Sequence, residues 1–119
     1  MFLVPVKRED GSFFNMVSQM QDGKYCLLTF VDQYRANPLT APPYMTISFF
    51  DELLSTKQIG LLRADVISAD ISKNVGQRVV KYLREFYTDP RKFQYVKTFN
   101  LRPNEFHYQD FKNSFPEFF

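Results

Sequence analysis

The dipeptide Asp22-Gly23 constrains this chain more than any other feature of its sequence. Both residues tolerate positive φ, which a two-residue type I′ turn demands, and the flanking segments 13–21 and 24–31 are rich in apolar side chains. The pair therefore predicts a β-hairpin, and with it an antiparallel sheet. The second hairpin strand would place Tyr25, Leu27, Thr29 and Val31 on one face and Cys26, Leu28 and Phe30 on the other. Both faces are largely apolar, which predicts a central strand covered on each side.

The rest of the chain can be read around that hairpin. Residues 2–7 alternate but contain Pro5, which confines them to a sheet edge or puts the proline at a non-bonded position. A turn at Glu9-Asp10-Gly11 follows. Residues 32–43, with Asn37-Pro38 and Pro42-Pro43, read as an exposed loop. Residues 44–50 and 58–66 read as strands, joined through a short helical turn at 51–57. Ile71, Val75, Val79, Leu83 and Phe86 recur at steps of four and three, so a helix is expected over 71–88, with Asp70 as its N-cap and Asp89-Pro90 as its stop. Residues 93–100 alternate Phe93, Tyr95, Lys97 and Phe99 against Gln94, Val96 and Thr98, and read as a strand. A short helix is expected near 108–114. The expected fold is a single α+β domain over 1–119: a mostly antiparallel twisted sheet of about six strands, packed with one long helix and one or two short ones.

Composition narrows the function classes. Of the 119 residues 45% are hydrophobic and 18% aromatic, including 14 Phe, enough for a real core. The 15 basic and 13 acidic residues nearly balance, which argues against a phosphate-tracking surface. The aromatics mostly alternate at strand period and belong first to the core, not to a base-stacking platform. One Cys and one His without ligand spacing predict no metal site, and four scattered Gly offer no phosphate loop, so no cofactor is expected. His107 has no evident nucleophile or orienting partner, which points away from an enzyme. Cys26, alone in an apolar run, is expected to be a buried small hydrophobe. No stretch of ~20 apolar residues suggests a membrane span. The run Phe106, Tyr108, Phe111, Phe115, Phe118 and Phe119 is expected to pack back over the sheet, with an exposed apolar patch as the other outcome.

The segment Thr98-Phe99-Asn100-Leu101-Arg102-Pro103-Asn104-Glu105-Phe106 mixes apolar anchors with rigid and polar residues. Pro103 fixes its own φ and pushes Arg102 toward an extended conformation. Two readings of the residues stand. In one the segment is a strand end and turn, with Phe99, Leu101 and Phe106 buried, Asn100 and Asn104 bonding local backbone, and Arg102 paired with Glu105. In the other it is a shaped recognition surface.

The string resembles the signature of the mitochondrial F-type ATP synthase assembly factor family, chaperones of the catalytic beta subunit. The likeness extends to Phe2-Leu3-Val4-Pro5-Val6, to Phe13-Phe14 and to Arg84-Glu85-Phe86-Tyr87-Thr88-Asp89-Pro90-Arg91-Lys92. It implies a non-enzymatic assembly chaperone in the mitochondrial matrix, shielding the subunit interface of unassembled beta subunit until the alpha subunit joins. It further implies a monomer that binds neither nucleic acid nor membrane. It also implies a natural precursor longer at its N-terminus, whose targeting region is absent from this sequence. The residues it assigns to the partner are Asn100, Arg102, Pro103, Asn104 and Glu105; Arg78, Lys81 and Arg84, on the expected helix, are weaker candidates for an electrostatic rim on charge alone. A small-ligand-binding or nucleic-acid-binding α+β domain is the alternative.

Overall fold

A computed structural model describes residues 1–50, 61–69 and 71–119. Asp22 and Gly23 turn the chain with φ of 54° and 66°, as a type I′ hairpin requires, and join β2 (Phe13–Gln21) to β3 (Tyr25–Phe30). With β1 (Phe2–Lys7), β4 (Pro43–Phe50) and β5 (Leu61–Val66) these form one antiparallel sheet whose strands lie side by side in chain order. β3 is central, and the proline-bearing β1 lies at an edge, both as expected. The α+β class holds, with the strand count corrected from about six to five among the described residues. The expected turn at 51–57, residues 58–60 of the expected fifth strand and Asp70 lie outside the described residues.

Among the described residues four helices accompany the sheet: α1 (Val31–Ala36), α2 (Lys73–Thr88), α3 (Pro90–Leu101) and α4 (Tyr108–Ser114). Two of them are long, at 16 and 12 residues, where one was expected. Single 3-10 turns occupy Pro103–Glu105 and Pro116–Phe118. The N-cap of α2 is Ser72, whose hydroxyl accepts from the Val75 amide at 3.2 Å, not Asp70. Asp89 ends α2 and begins α3: its backbone N–H bonds Glu85 O, while its carboxylate accepts from the amides of Arg91 and Lys92 at 2.8 and 3.3 Å.

The strand expected over 93–100 is therefore the body of α3. Asp89 as N-cap with Pro90 in the first turn is a helix start as well as a stop. Phe93, Val96 and Asn100 also recur at helical steps, and Lys97 breaks the alternation. Residues 32–36 of the segment expected as loop, together with Val31 from the expected hairpin strand, coil into α1, which has no side-chain cap to announce it.

One face of the sheet carries Phe2, Val4, Val6, Phe14, Met16, Cys26, Leu28, Met45 and Ile47, all buried. α2 covers it with Val75, Val79, Leu83 and Phe86, while Val96 and Phe111 come from α3 and α4. Ser18, a buried polar residue on this face, donates its hydroxyl to Phe2 O at 3.2 Å. The opposite face is covered unevenly. Val17 and Thr29 are buried where α1 lies over β2 and β3, whereas Tyr25 is exposed, so the expectation of β3 covered on both sides holds for only part of its length.

The C-terminal aromatics pack inward, as expected. Phe2 is their meeting point, with its ring centroid 5.4–6.3 Å from those of Tyr82, Phe86, Phe99, Phe106 and Phe111. Phe115, Phe118 and Phe119 complete the cluster at its margin, and Tyr108 stays exposed.

Candidate protein-binding surface

The last turn of α3 and the 3-10 turn after it present the segment 98–106. α3 runs to Leu101, where Arg102 leaves helical geometry at φ −139° and ψ 63°, as a residue before proline should. Its amide still bonds Thr98 O at 2.9 Å. Pro103–Glu105 then closes a tight turn through Glu105 N to Arg102 O (2.9 Å) and Phe106 N to Pro103 O (3.2 Å). Below it, Phe99 and Phe106 meet edge to face at 5.0 Å, and both rings lean on Phe2. The turn is thus a rigid cap on the aromatic cluster.

The expected contact residues separate into two groups. Arg102, Pro103, Asn104 and Glu105 are contiguous and exposed. The Arg102 Nε lies 3.4 Å from Glu105 Oε2, the pairing expected from sequence, and with both side chains over 60% exposed it contributes little to stability. Asn100 does a different job. Its amide donates to Val96 O at 2.7 Å and to Met1 O, and its Oδ1 accepts from the Met1 amino group at 2.9 Å. Asn100 thereby ties the end of α3 to the start of β1, and partial burial lowers the pKa of that amino group.

The strand-end reading of the segment buries Leu101, which is instead 76% exposed. The error follows from reading a strand: a period of two put Phe99 and Leu101 on one face, whereas a helix separates them by 200°. The result is a lone apolar side chain beside an exposed Arg–Glu pair.

Arg78, Lys81 and Arg84 of α2 do not form one rim. Arg78 and Lys81 border a shallow hollow of about 370 Å³ against Lys7, with Glu85 and Glu117 also at its wall, while Arg84 lies on the opposite flank of the helix. His107 is exposed and precedes α4 without a side-chain cap bond. Burial pushes the Cys26 thiol up to about 11, so it stays protonated and unreactive at neutral pH. Among the described residues no three His, Cys, Asp or Glu converge as a metal site would need. No helix among them is long and apolar enough to cross a membrane.

A family model described as ATP11 protein matches residues 1–111, which takes in all five strands, the long helices and the segment 98–106. A search of curated proteins finds no match. With the fold and the signature covered in one continuous stretch, the chain belongs to the ATP11 protein family, the ATP synthase assembly factors that its sequence resembles.

Proposed function

We propose that this chain is a non-enzymatic chaperone of the mitochondrial matrix that holds the unassembled beta subunit of ATP synthase until the alpha subunit takes its place. The single domain 1–119 acts as a monomer. The observation that carries the reading is the exposed Leu101 next to the Arg102–Glu105 pair on a turn braced by Phe99 and Phe106. An apolar anchor with a polar surround, held on a rigid support, suits recognition of an unpaired subunit joint. Arg102, Pro103, Asn104 and Glu105 make the contact with Leu101, and Asn100 positions them.

An orphan subunit exposes apolar surface that invites aggregation, and masking it needs no nucleotide hydrolysis. Release by competition requires a contact no larger than a standard interface of ~800 Å² per partner. The test is native capture of isolated beta subunit on the immobilised chain. Wild type retains it; Leu101→Asp and Arg102→Ala each weaken retention by about tenfold or more, with melting temperatures unchanged. Full retention by both variants removes the signature from the contact, and failure of wild type to retain beta subunit removes the reading itself.

A further inference from the structure

A second apolar surface lies away from the signature. Between the hairpin ends of β2–β5 and the C-terminal half of α2 runs a groove of about 230 Å³, walled by Met20, Phe49, Leu62, Val80, Leu83 and Tyr87. Cys26 and Ile47 form its buried floor. Met20 and Leu62 are 44% and 46% exposed, so large apolar side chains stand at its mouth. The groove has one charge on its lining, the exposed Arg84, whose guanidinium makes no ion pair among the described residues. The neighbouring acid, Glu85, is bound to Lys92 at 3.1 Å.

We infer that this groove is a second docking site, taking an apolar side chain of the client subunit that is followed closely by a carboxylate, which pairs with Arg84. The inference rests on the assembly-chaperone reading. Its independent support is the charge pattern: a lone unpaired cation on the lip of an otherwise apolar trough selects an apolar residue with an anion beside it, and disfavours a basic or uncharged polar segment. The unpaired guanidinium also gives the contact a screening-dependent component that the signature, with Arg102 already paired to Glu105, contributes less of.

The test offers purified beta and alpha subunits separately to the immobilised chain, as wild type and as Arg84→Glu, Arg84→Lys and Leu62→Asp. Arg84 and Leu62 are at the surface, and melting curves confirm that each variant folds. The expected result is retention of beta subunit by wild type, at least about tenfold weaker retention by Arg84→Glu and Leu62→Asp, and Arg84→Lys within about threefold of wild type. Wild-type retention by Arg84→Glu overturns the groove while leaving the assembly reading intact. Failure of wild type to hold either subunit overturns both. Concentration-dependent dimerisation of the chain that Arg84→Glu abolishes makes a second copy the occupant and overturns the assignment to a client.

Discussion

The two edges of the sheet are built to opposite ends. β1 is buried along Phe2–Val6, carries Pro5 within it, and has its Leu3 carbonyl taken by the Tyr82 hydroxyl at 3.0 Å. The 3-10 turn at Pro116–Phe118 packs against it. With the Leu3 carbonyl occupied and no N–H at Pro5, this edge offers few groups for another chain to pair with. At β5 the residues Leu62, Arg63, Ala64 and Val66 are exposed, and the Arg63–Asp65 pair at 3.2 Å is the main feature that blunts the edge. The contrast teaches that stability has been concentrated at one side of the molecule, leaving the other side accessible.

The sharpest way to break this comparison is to truncate a side chain at each edge. Phe2→Ala removes the hub of the aromatic cluster and should cost ~3–5 kcal/mol in denaturant unfolding, whereas Leu62→Ala should cost under about 1. Similar losses at both edges would erase the distinction.

Next in size is an alkaline effect at the groove floor. Burial pushes the folded Cys26 thiol up to about 11 from its ordinary 9.0, so its contribution to stability is constant below pH 9 and falls as pH climbs toward 11, because the unfolded chain loses that proton first. The loss is on the order of 2 kcal/mol, and urea unfolding of Cys26→Ala across pH 8–11, the values being about the two pKa limits, should show a shallower decline. Burial raises the Tyr82 phenol as well, adding to the same trend at higher pH.

Asn100→Ala should cost ~1–2 kcal/mol, since it removes the side-chain bonds to Val96 O and Met1 O that tie α3 to β1, and hydrogen exchange should quicken at the start of β1. Arg102→Ala, two residues on, should leave stability within ~0.5 kcal/mol. A modest effect is also expected at Gly76, where a Cβ would come within 2.8 Å of Val66 Cγ2. Gly76→Ala gains helix propensity but crowds β5, for a net loss of ~1 kcal/mol that Val66→Ala should relieve in the double variant.

Much of this architecture is written locally. Asp22-Gly23 sets the hairpin, Val75, Val79, Leu83 and Phe86 draw the buried stripe of α2, and α4 falls on residues 108–114 as read. Two segments mislead for identifiable reasons. Phe93, Tyr95 and Phe99 suit a strand period and, with Val96, a helical one, and Asp89-Pro90 decides between them only when it is seen as a beginning. Val31–Ala36 is too short to show a period. The Arg102–Glu105 pairing is legible from spacing, but the exposure of Leu101 depends on helical phase. The groove could not be read at all, because its walls come from four strands and a helix that meet only after folding.

Asp89 has one consequence for geometry at longer range. A single residue serves as the end of one helix and the start of the next, so no slack loop separates them. α3, at 12 residues, is an arm of ~18 Å with Arg102–Glu105 at its tip and Arg84 just behind its root. On the two contacts proposed above, a polypeptide gripped at both points would have to match a set span, and one whose two features are spaced differently would engage only one of them at a time.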